Sequence, residues 1–438
     1  MNCPKRAIKL NILVMLCLCL FFTSGCYDAI EVDELVYVVA MGLDGGIDGN
    51  VRMSMLLAVP IAVGVGPEPG EVEKSATMLT VEAPTIYGGM SIANSILSKK
   101  VNFSHTKLVV ISKKLAEKGI EKYMNTFNRF REFRPDTYLG VARDSAEDFL
   151  RESKPILEAN PAKYYELLME SWKTTGFSVD SRLSSFYRDM RSNDGQAVAA
   201  LLDVNRLKTS EEFEQILFSG NDSNLGKVME GDYTAGQVPA IFDTKSMNMG
   251  MAVFKADKMV GELKGRETVF FLMITGKLEE AYFSIPTPEE QASTGAKETD
   301  FVSLKLSLGR KPVVQVKMNE DTPYITAHIF LEGSVLTMEG DKDYSTGEGL
   351  KRLEDFSAEY IRGDVLSFLE KTRDSFHSDI CVTGKKIKQQ FLVWDDWVRF
   401  GWNKKYENAS FDVILKVAIR RTGMTVKQIP MSDLKGNE

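Results

Sequence analysis

Apolar and polar positions change rhythm several times along this chain, and each rhythm predicts an element. Residues 36–43 are a nearly unbroken apolar run closed by Asp44-Gly45-Gly46, which predicts a strand. Val51, Met53, Met55, Leu57 and Val59 then alternate with Arg52, Ser54 and their neighbours, a second strand with residues 45–50 as the hairpin loop. Residues 64–73, containing Gly-Pro-Glu-Pro-Gly, have the chemistry of an exposed loop. A helix is predicted over 86–97 and a strand over 107–112. Ala116, Ile120, Tyr123, Met124 and Phe127 recur at helical spacing with lysines and glutamates between them, so one amphipathic helix is expected over 113–130. Residues 138–142 read as a strand, and Ser145-Ala146-Glu147-Asp148 as the cap of a further short helix. The succession predicts a mixed sheet with packed helices over residues 26–200.

The middle of the chain is less regular. Helical stretches at 164–172 and 183–191 are broken by Asn, Gly and Ser clusters, and 219–236 is polar, so 201–247 reads as a linker or middle segment. From residue 248 the rhythm becomes a period of two. Residues 249–254 and 259–263 flank the turn Lys255-Ala256-Asp257-Lys258. Strict alternation returns at Val302, Leu304, Leu306 and Leu308, at Val314, Val316 and Met318, and at Ile325, Ala327, Ile329 and Leu331. This predicts an antiparallel sheet with one buried face over 248–345. Residues 346–430 hold a long helix, striped by Leu350, Leu353, Phe356, Tyr360, Ile361, Phe368 and Leu369, and then a terminal strand. Gly363 costs the helix about 1 kcal/mol. In the strand, Phe411, Val413, Leu415, Val417 and Ile419 face one way and Asp412, Lys416 and Arg420 the other. The predicted class is multi-domain α+β.

The first 26 residues follow neither rhythm. Lys5, Arg6 and Lys9 precede an apolar run over 12–22, and Thr23-Ser24-Gly25 precede Cys26, the order of a secretory signal. Spanning a bilayer takes about 20 apolar residues, so cleavage of 1–25 is expected. A cysteine directly after the small residues is a lipobox feature, and diacylglyceryl transfer to Cys26 is expected. The third position before the cysteine is usually aliphatic and here is Thr23, with Phe22 one place upstream. A plain secretory peptide is the alternative. Loss of the three basic residues takes the formal charge from −7 to −10, which argues against nucleic acid and against a polybasic grip on anionic lipid. Of five cysteines, Cys3, Cys17 and Cys19 leave with the signal and Cys26 is acylated, so Cys381 is left as a free thiol and no intrachain disulfide is expected.

Candidate chemistry is sparse. His105, His328 and His377 are too far apart in sequence for a metal motif, and no phosphate loop or nucleophile elbow is present, so neither metal nor cofactor is expected. Ser104-His105-Thr106-Lys107 has the Ser-x-x-Lys spacing, but Lys107 opens a strand instead of standing one helical turn from the serine. Asp395 and Asp396 point apart as sequence neighbours and read as a solvated face. Trp394, Trp397 and Trp402 fit either a binding surface or packing at the end of the second block, and packing is favoured. Cys381 reads as a buried, quiet thiol.

In order, these segments resemble the Ger(x)C family, the C-subunit lipoproteins of spore germinant receptors. The resemblance is carried by Cys26-Tyr27-Asp28 with the acidic residues after it, Met41-Gly42-Leu43-Asp44, Phe103-Ser104-His105-Thr106-Lys107, Leu115 to Gly119, and the arginines 129, 131 and 134. In the second half it is carried by Gly250 to Lys255, Val260 to Leu263 and Val413 to Gly423. Tyr27 replaces the usual Trp, and Asp379-Ile380-Cys381-Val382-Thr383-Gly384 partly keeps the pattern Asp-hydrophobic-x-Gly-x-Gly. The resemblance implies a non-enzymatic lipoprotein on the outer face of the inner spore membrane, assembled with a multi-spanning A subunit and a permease-like B subunit. It transfers one site, Cys26. A lipid-tethered substrate-binding protein of a transporter is the second reading, and it requires two similar α/β lobes around a cleft.

Overall fold

The computed structural model describes residues 11–15, 31–58, 76–207, 209, 211–212, 229–243, 245–287, 300–339, 344 and 347–421. Cys26 and the loop expected at 64–73 lie outside them. The chain opens with the antiparallel strands β1 (Leu35–Gly45), β2 (Val51–Ala58) and β3 (Ala76–Ala83). There follow α1 (Ile86–Ile96), β4 (Lys100–Asn102), β5 (Leu108–Ser112), α2 (Lys113–Lys118), α3 (Glu121–Arg129), β6 (Tyr138–Ala142) and α4 (Ala146–Glu152). Next come α5 (Pro161–Glu170), α6 (Trp172–Thr175), α7 (Leu183–Met190), β7 (Val198–Val204) and the hairpin β8 (Ser246–Lys255) and β9 (Lys258–Leu263).

These nine strands make one mixed sheet in the order β3-β2-β1-β5-β6-β7-β8-β9, with β4 beside the start of β1. Its centre, β1-β5-β6-β7, is parallel, and its flanks are antiparallel. Period-two geometry sends successive residues to opposite faces. Leu108 and Val110 meet Phe149 and Leu150 of α4 on one side, while Val109 and Ile111 meet Tyr123 and Phe127 of α3 and Phe186 of α7 on the other. Ser145 caps α4 as expected, its hydroxyl accepting from the Asp148 N–H at 3.2 Å.

The structure differs from the sequence reading in three places. The helix expected over 113–130 is two, because Gly119 adopts φ +115° and the Ile120 N–H leaves the helix to donate to Asp257 O in the β8–β9 turn at 3.0 Å. β7 crosses the boundary expected at residue 200. The hairpin expected to open the second sheet at 248 pairs with β7 and completes the first. β14 (below), whose direction alternation alone does not set, runs parallel to its neighbour.

The second half begins with α8 (Gly265–Thr275), in which every residue except Glu267 and Thr275 is buried. β10 (Ala281–Pro286), β11 (Phe301–Leu308), β12 (Val313–Asn319) and β13 (Thr322–Met338) follow. Then come α9 (Gly347–Asp374), α10 (Gly384–Lys388), α11 (Trp394–Phe400), α12 (Trp402–Tyr406) and β14 (Ser410–Arg421). β13 is long enough to pair with β12 along its first half, β11 along its second and β14 along its other edge. α9 runs unbroken through Gly363 and supplies the crossover that a parallel β13–β14 pair requires. The alternating apolar face of this sheet, the stripe of α9 and one face of the first sheet close on α8 in a single core. Among the described residues, no helix is long and apolar enough to cross a membrane.

Candidate functional site

The Ser104–Lys107 segment leads into β5 and lines a polar cleft of about 180 Å³ with Arg134, Tyr138, Glu166, Glu170 and Arg182. Ser104 donates to Asn102 Oδ1 at 2.5 Å and lies 3.1 Å from His105 Nδ1. Lys107 Nζ is 3.2 Å from Glu166, so it serves an ion pair and not the serine. Arg182 reaches over the Tyr138 ring at 4.3 Å, donates to the Tyr138 hydroxyl at 2.8 Å and donates to Asp180 at 2.9 Å. Desolvation, then Arg134 and Lys107, holds the His105 pKa below its ordinary value. Burial raises that of Tyr138. The cleft is below the usual 300–1,000 Å³ of a ligand pocket, and its charges are largely spent on one another. It is an interlocking of β5, β6, α5 and the segment before α7.

A second centre follows α9. The Asp379 side chain is buried and accepts from the Thr383 N–H at 3.1 Å, the Thr383 hydroxyl at 2.9 Å, the Gly384 N–H at 2.9 Å and the Trp402 indole N–H at 2.8 Å. Burial pushes its carboxyl above the usual carboxylate range, and these four donors oppose that push. Its backbone carbonyl accepts from the Gln196 N–H at 3.1 Å, and the Ser378 hydroxyl donates to Phe254 O at 2.8 Å. The loop therefore latches the end of α9 to the first sheet on one side and to α12 on the other. Val382 occupies the position of the first glycine in the Asp-hydrophobic-x-Gly-x-Gly pattern, and its φ of +57° explains why that pattern has glycine there. The second glycine is Gly384, where an added Cβ would lie 2.4 Å from the Trp402 indole. Cys381 is buried beside them, with its thiol pKa pushed well up by desolvation and then by Asp379.

The three tryptophans part company. Trp397 and Trp402 pack with Tyr406, Ile387 and Ile325 in a small core at the end of the second sheet, whereas Trp394 is 54% exposed. Asp395 and Asp396 are exposed, and Asp396 pairs with Arg399 at 2.5 Å, a solvated face as expected. His105, His328 and His377 stand on separate elements, and among the described residues no group of three or more metal-ligating side chains assembles. Sequence reasoning missed the hub role of Asp379. The available signal was a lone carboxylate set against Ile380, Cys381 and Val382. It also missed Tyr138 and Arg182, which meet only in space.

Both halves of the chain match family models. Residues 28–204 match "Spore germination protein N-terminal domain" and residues 249–423 match "Spore germination B3/ GerAC like, C-terminal". The chain belongs to the Ger(x)C family of spore germination proteins. Within that family it is 23% identical to spore germination protein KC of Bacillus subtilis (strain 168), covering 95% of this chain and 96% of the relative. It is 17% identical to spore germination protein GerQC of Bacillus cereus, over 92% and 96% of the two chains. The crystal structure of the GerBC protein superposes with a TM-score of 0.50 at 15% identity, covering 87% of this chain and 96% of that one, and shows the same fold. The Ger(x)C match ends and restarts around residues 205–248, the stretch between β7 and β8.

Proposed function

We propose that this chain is the non-enzymatic, lipid-anchored C subunit of a spore nutrient germinant receptor. In this reading Cys26 carries the acyl chains after removal of 1–25. They hold the body on the outer face of the inner spore membrane, beside a multi-spanning A subunit and a permease-like B subunit. Tethering raises the local concentration for contacts that are individually weak. The observation that carries the proposal is the ordered match of both germination-family models along the chain. The spent charges of the Ser104–Lys107 cleft favour a scaffold over a hydrolase. The two halves are unlike, a nine-stranded mixed sheet against a five-stranded one, and so lack the paired lobes a transporter's binding protein requires.

The test is Cys26→Ala in the sporulating organism. The variant is expected to lose palmitate labelling, to leave the inner-membrane fraction and to slow germination with one class of nutrient. Co-purification of the native chain with A and B subunits is expected as well. Normal membrane retention of an unlabelled variant, with unchanged germination, overturns the reading.

A further inference from the structure

Leu392 is fully exposed, Val393 is 53% exposed and Val398 47%, and with Trp394 they form one apolar surface on α11 and the loop before it. Phe391 and Trp397 turn inward from the same segment and stack edge to face, so the segment is held firmly while its other side stays bare. Scattered exposed apolar residues need no explanation, but an adjoining set of large ones does.

The charge around this surface opposes that of the whole chain. Between residues 385 and 405 the basic residues are Lys385, Lys386, Lys388, Arg399, Lys404 and Lys405, against only Asp395 and Asp396, while the full chain carries −7. Lys388 pairs with Asp194 at 3.1 Å and lies 4.8 Å over the Trp394 ring, and Lys405 pairs with Asp321 at 2.6 Å. Lys385, Lys386 and Lys404 make no ion pair among the described residues. The whole-chain acidity that argues against a polybasic grip thus averages over a locally basic rim.

Topology fixes where this face lies. Because β1, β5, β6 and β7 are parallel, all four begin at one edge of the sheet, with β1 starting five residues ahead of its pairing with β5. The Lys388 partner Asp194 stands four residues before β7, and Cys26 stands nine residues before β1. Three strand spacings, roughly 14 Å, separate β1 from β7, and the nine residues of chain, of which Val32–Glu34 form a 3-10 turn, reach up to about 25 Å.

We propose that α11 and residues 391–393 dock on an anionic phospholipid bilayer, with Leu392, Val393, Trp394 and Val398 entering the interfacial layer and the lysines meeting lipid phosphates. The choice of the bilayer as occupant rests on the Cys26 anchor proposed above, which brings this edge of the sheet to the membrane. Acyl chains hold the body near the surface but leave it free to tumble. An aromatic-basic face within tether reach fixes its orientation.

The experiment places the acylated full chain in phosphatidylglycerol vesicles and in phosphatidylcholine vesicles, both with brominated acyl chains. Fluorescence quenching is read as the difference between the native chain and Trp394→Phe. Quenching of the Trp394 share is expected in phosphatidylglycerol and severalfold less in phosphatidylcholine. In the unacylated Cys26→Ala background, Leu392→Ser with Val393→Ser is expected to lower binding to phosphatidylglycerol vesicles about tenfold. A failed anchor appears separately, as absence of acyl label on Cys26 with Trp394 quenching retained. An acylated chain that stays vesicle-bound with Trp394 unquenched overturns the proposal. So does a double variant that binds vesicles normally but loses an integral membrane protein partner, which would assign the face to protein.

Discussion

At the scale of single residues the governing group is Asp379. A buried carboxylate is tolerable only when donors surround it, and the Thr383 and Gly384 amides, the Thr383 hydroxyl and the Trp402 indole supply them. Asp379→Ala strands those donors in the interior, where each unsatisfied group costs about 1–3 kcal/mol. A loss of about 3 kcal/mol in urea unfolding is therefore expected. Gly384→Ala reaches the same point by another route, since its Cβ would press on Trp402 and part the indole from the carboxylate. It is expected to cost about 2 kcal/mol and to shift the near-ultraviolet circular dichroism of the tryptophans. If both variants unfold within about 0.5 kcal/mol of the native chain, the latch contributes nothing to stability. The sequence pattern pointed to this neighbourhood. That Asp379 is its centre depends on Trp402 arriving from α12, a pairing no local spacing encodes.

Among the elements, the ones legible in sequence are those with one wet face. β11, β13 and β14 alternate because one side meets the core, and α3, α7 and α9 show an apolar stripe for the same reason. α8 was invisible because it is apolar nearly all round, enclosed by both sheets and α9, so that neither period stands out. β7, with Ala199-Ala200-Leu201-Leu202, is buried on both faces and hides in the same way. The direction of β14 was hidden too, since alternation is identical in parallel and antiparallel strands. α8 has one polar commitment in its interior: Arg266, 7% exposed, donates to Asp364 of α9 at 2.9 Å and 3.2 Å, beneath the rings of Phe270, Phe283 and Tyr360. Asp364→Ala leaves that guanidinium enclosed without its partner. Because Asp364 retains solvent, the expected cost is about 2 kcal/mol, below the 3–5 kcal/mol of a fully buried pair. Arg266→Met with Asp364→Leu is expected to recover most of it. Equal destabilisation of the single and double variants in chemical denaturation would show that packing around α8, and not the ion pair, is what the substitution disturbs.

For the whole molecule, the sequence suggests two bodies joined by a linker near 201–247, the stretch between the two family matches, and the structure adds that strands from beyond it return to the first sheet. β8 and β9, from beyond that stretch, supply the last two strands of the first sheet. Met251 and Val253 of β8, Phe270 and Leu272 of α8, Leu304 and Ile329 of the second sheet, and Ile361 and Phe368 of α9 belong to one continuous core. The Asp379 loop adds polar ties between the same parts. Domains that unfold separately need a modest, polar interface, whereas here each half has a core of its own and the two also share a large apolar one around α8. Thermal unfolding of the chain is therefore expected as one cooperative transition, with calorimetric and van't Hoff enthalpies agreeing. Tryptophan fluorescence, which reports mainly the 394–402 region, should coincide with far-ultraviolet circular dichroism, which reports the entire molecule. Two resolved transitions, with the tryptophan signal moving first, would mean that the shared core around α8 separates without disrupting the first sheet. Coincident curves would mean that a strain on the α11 end is felt across both sheets.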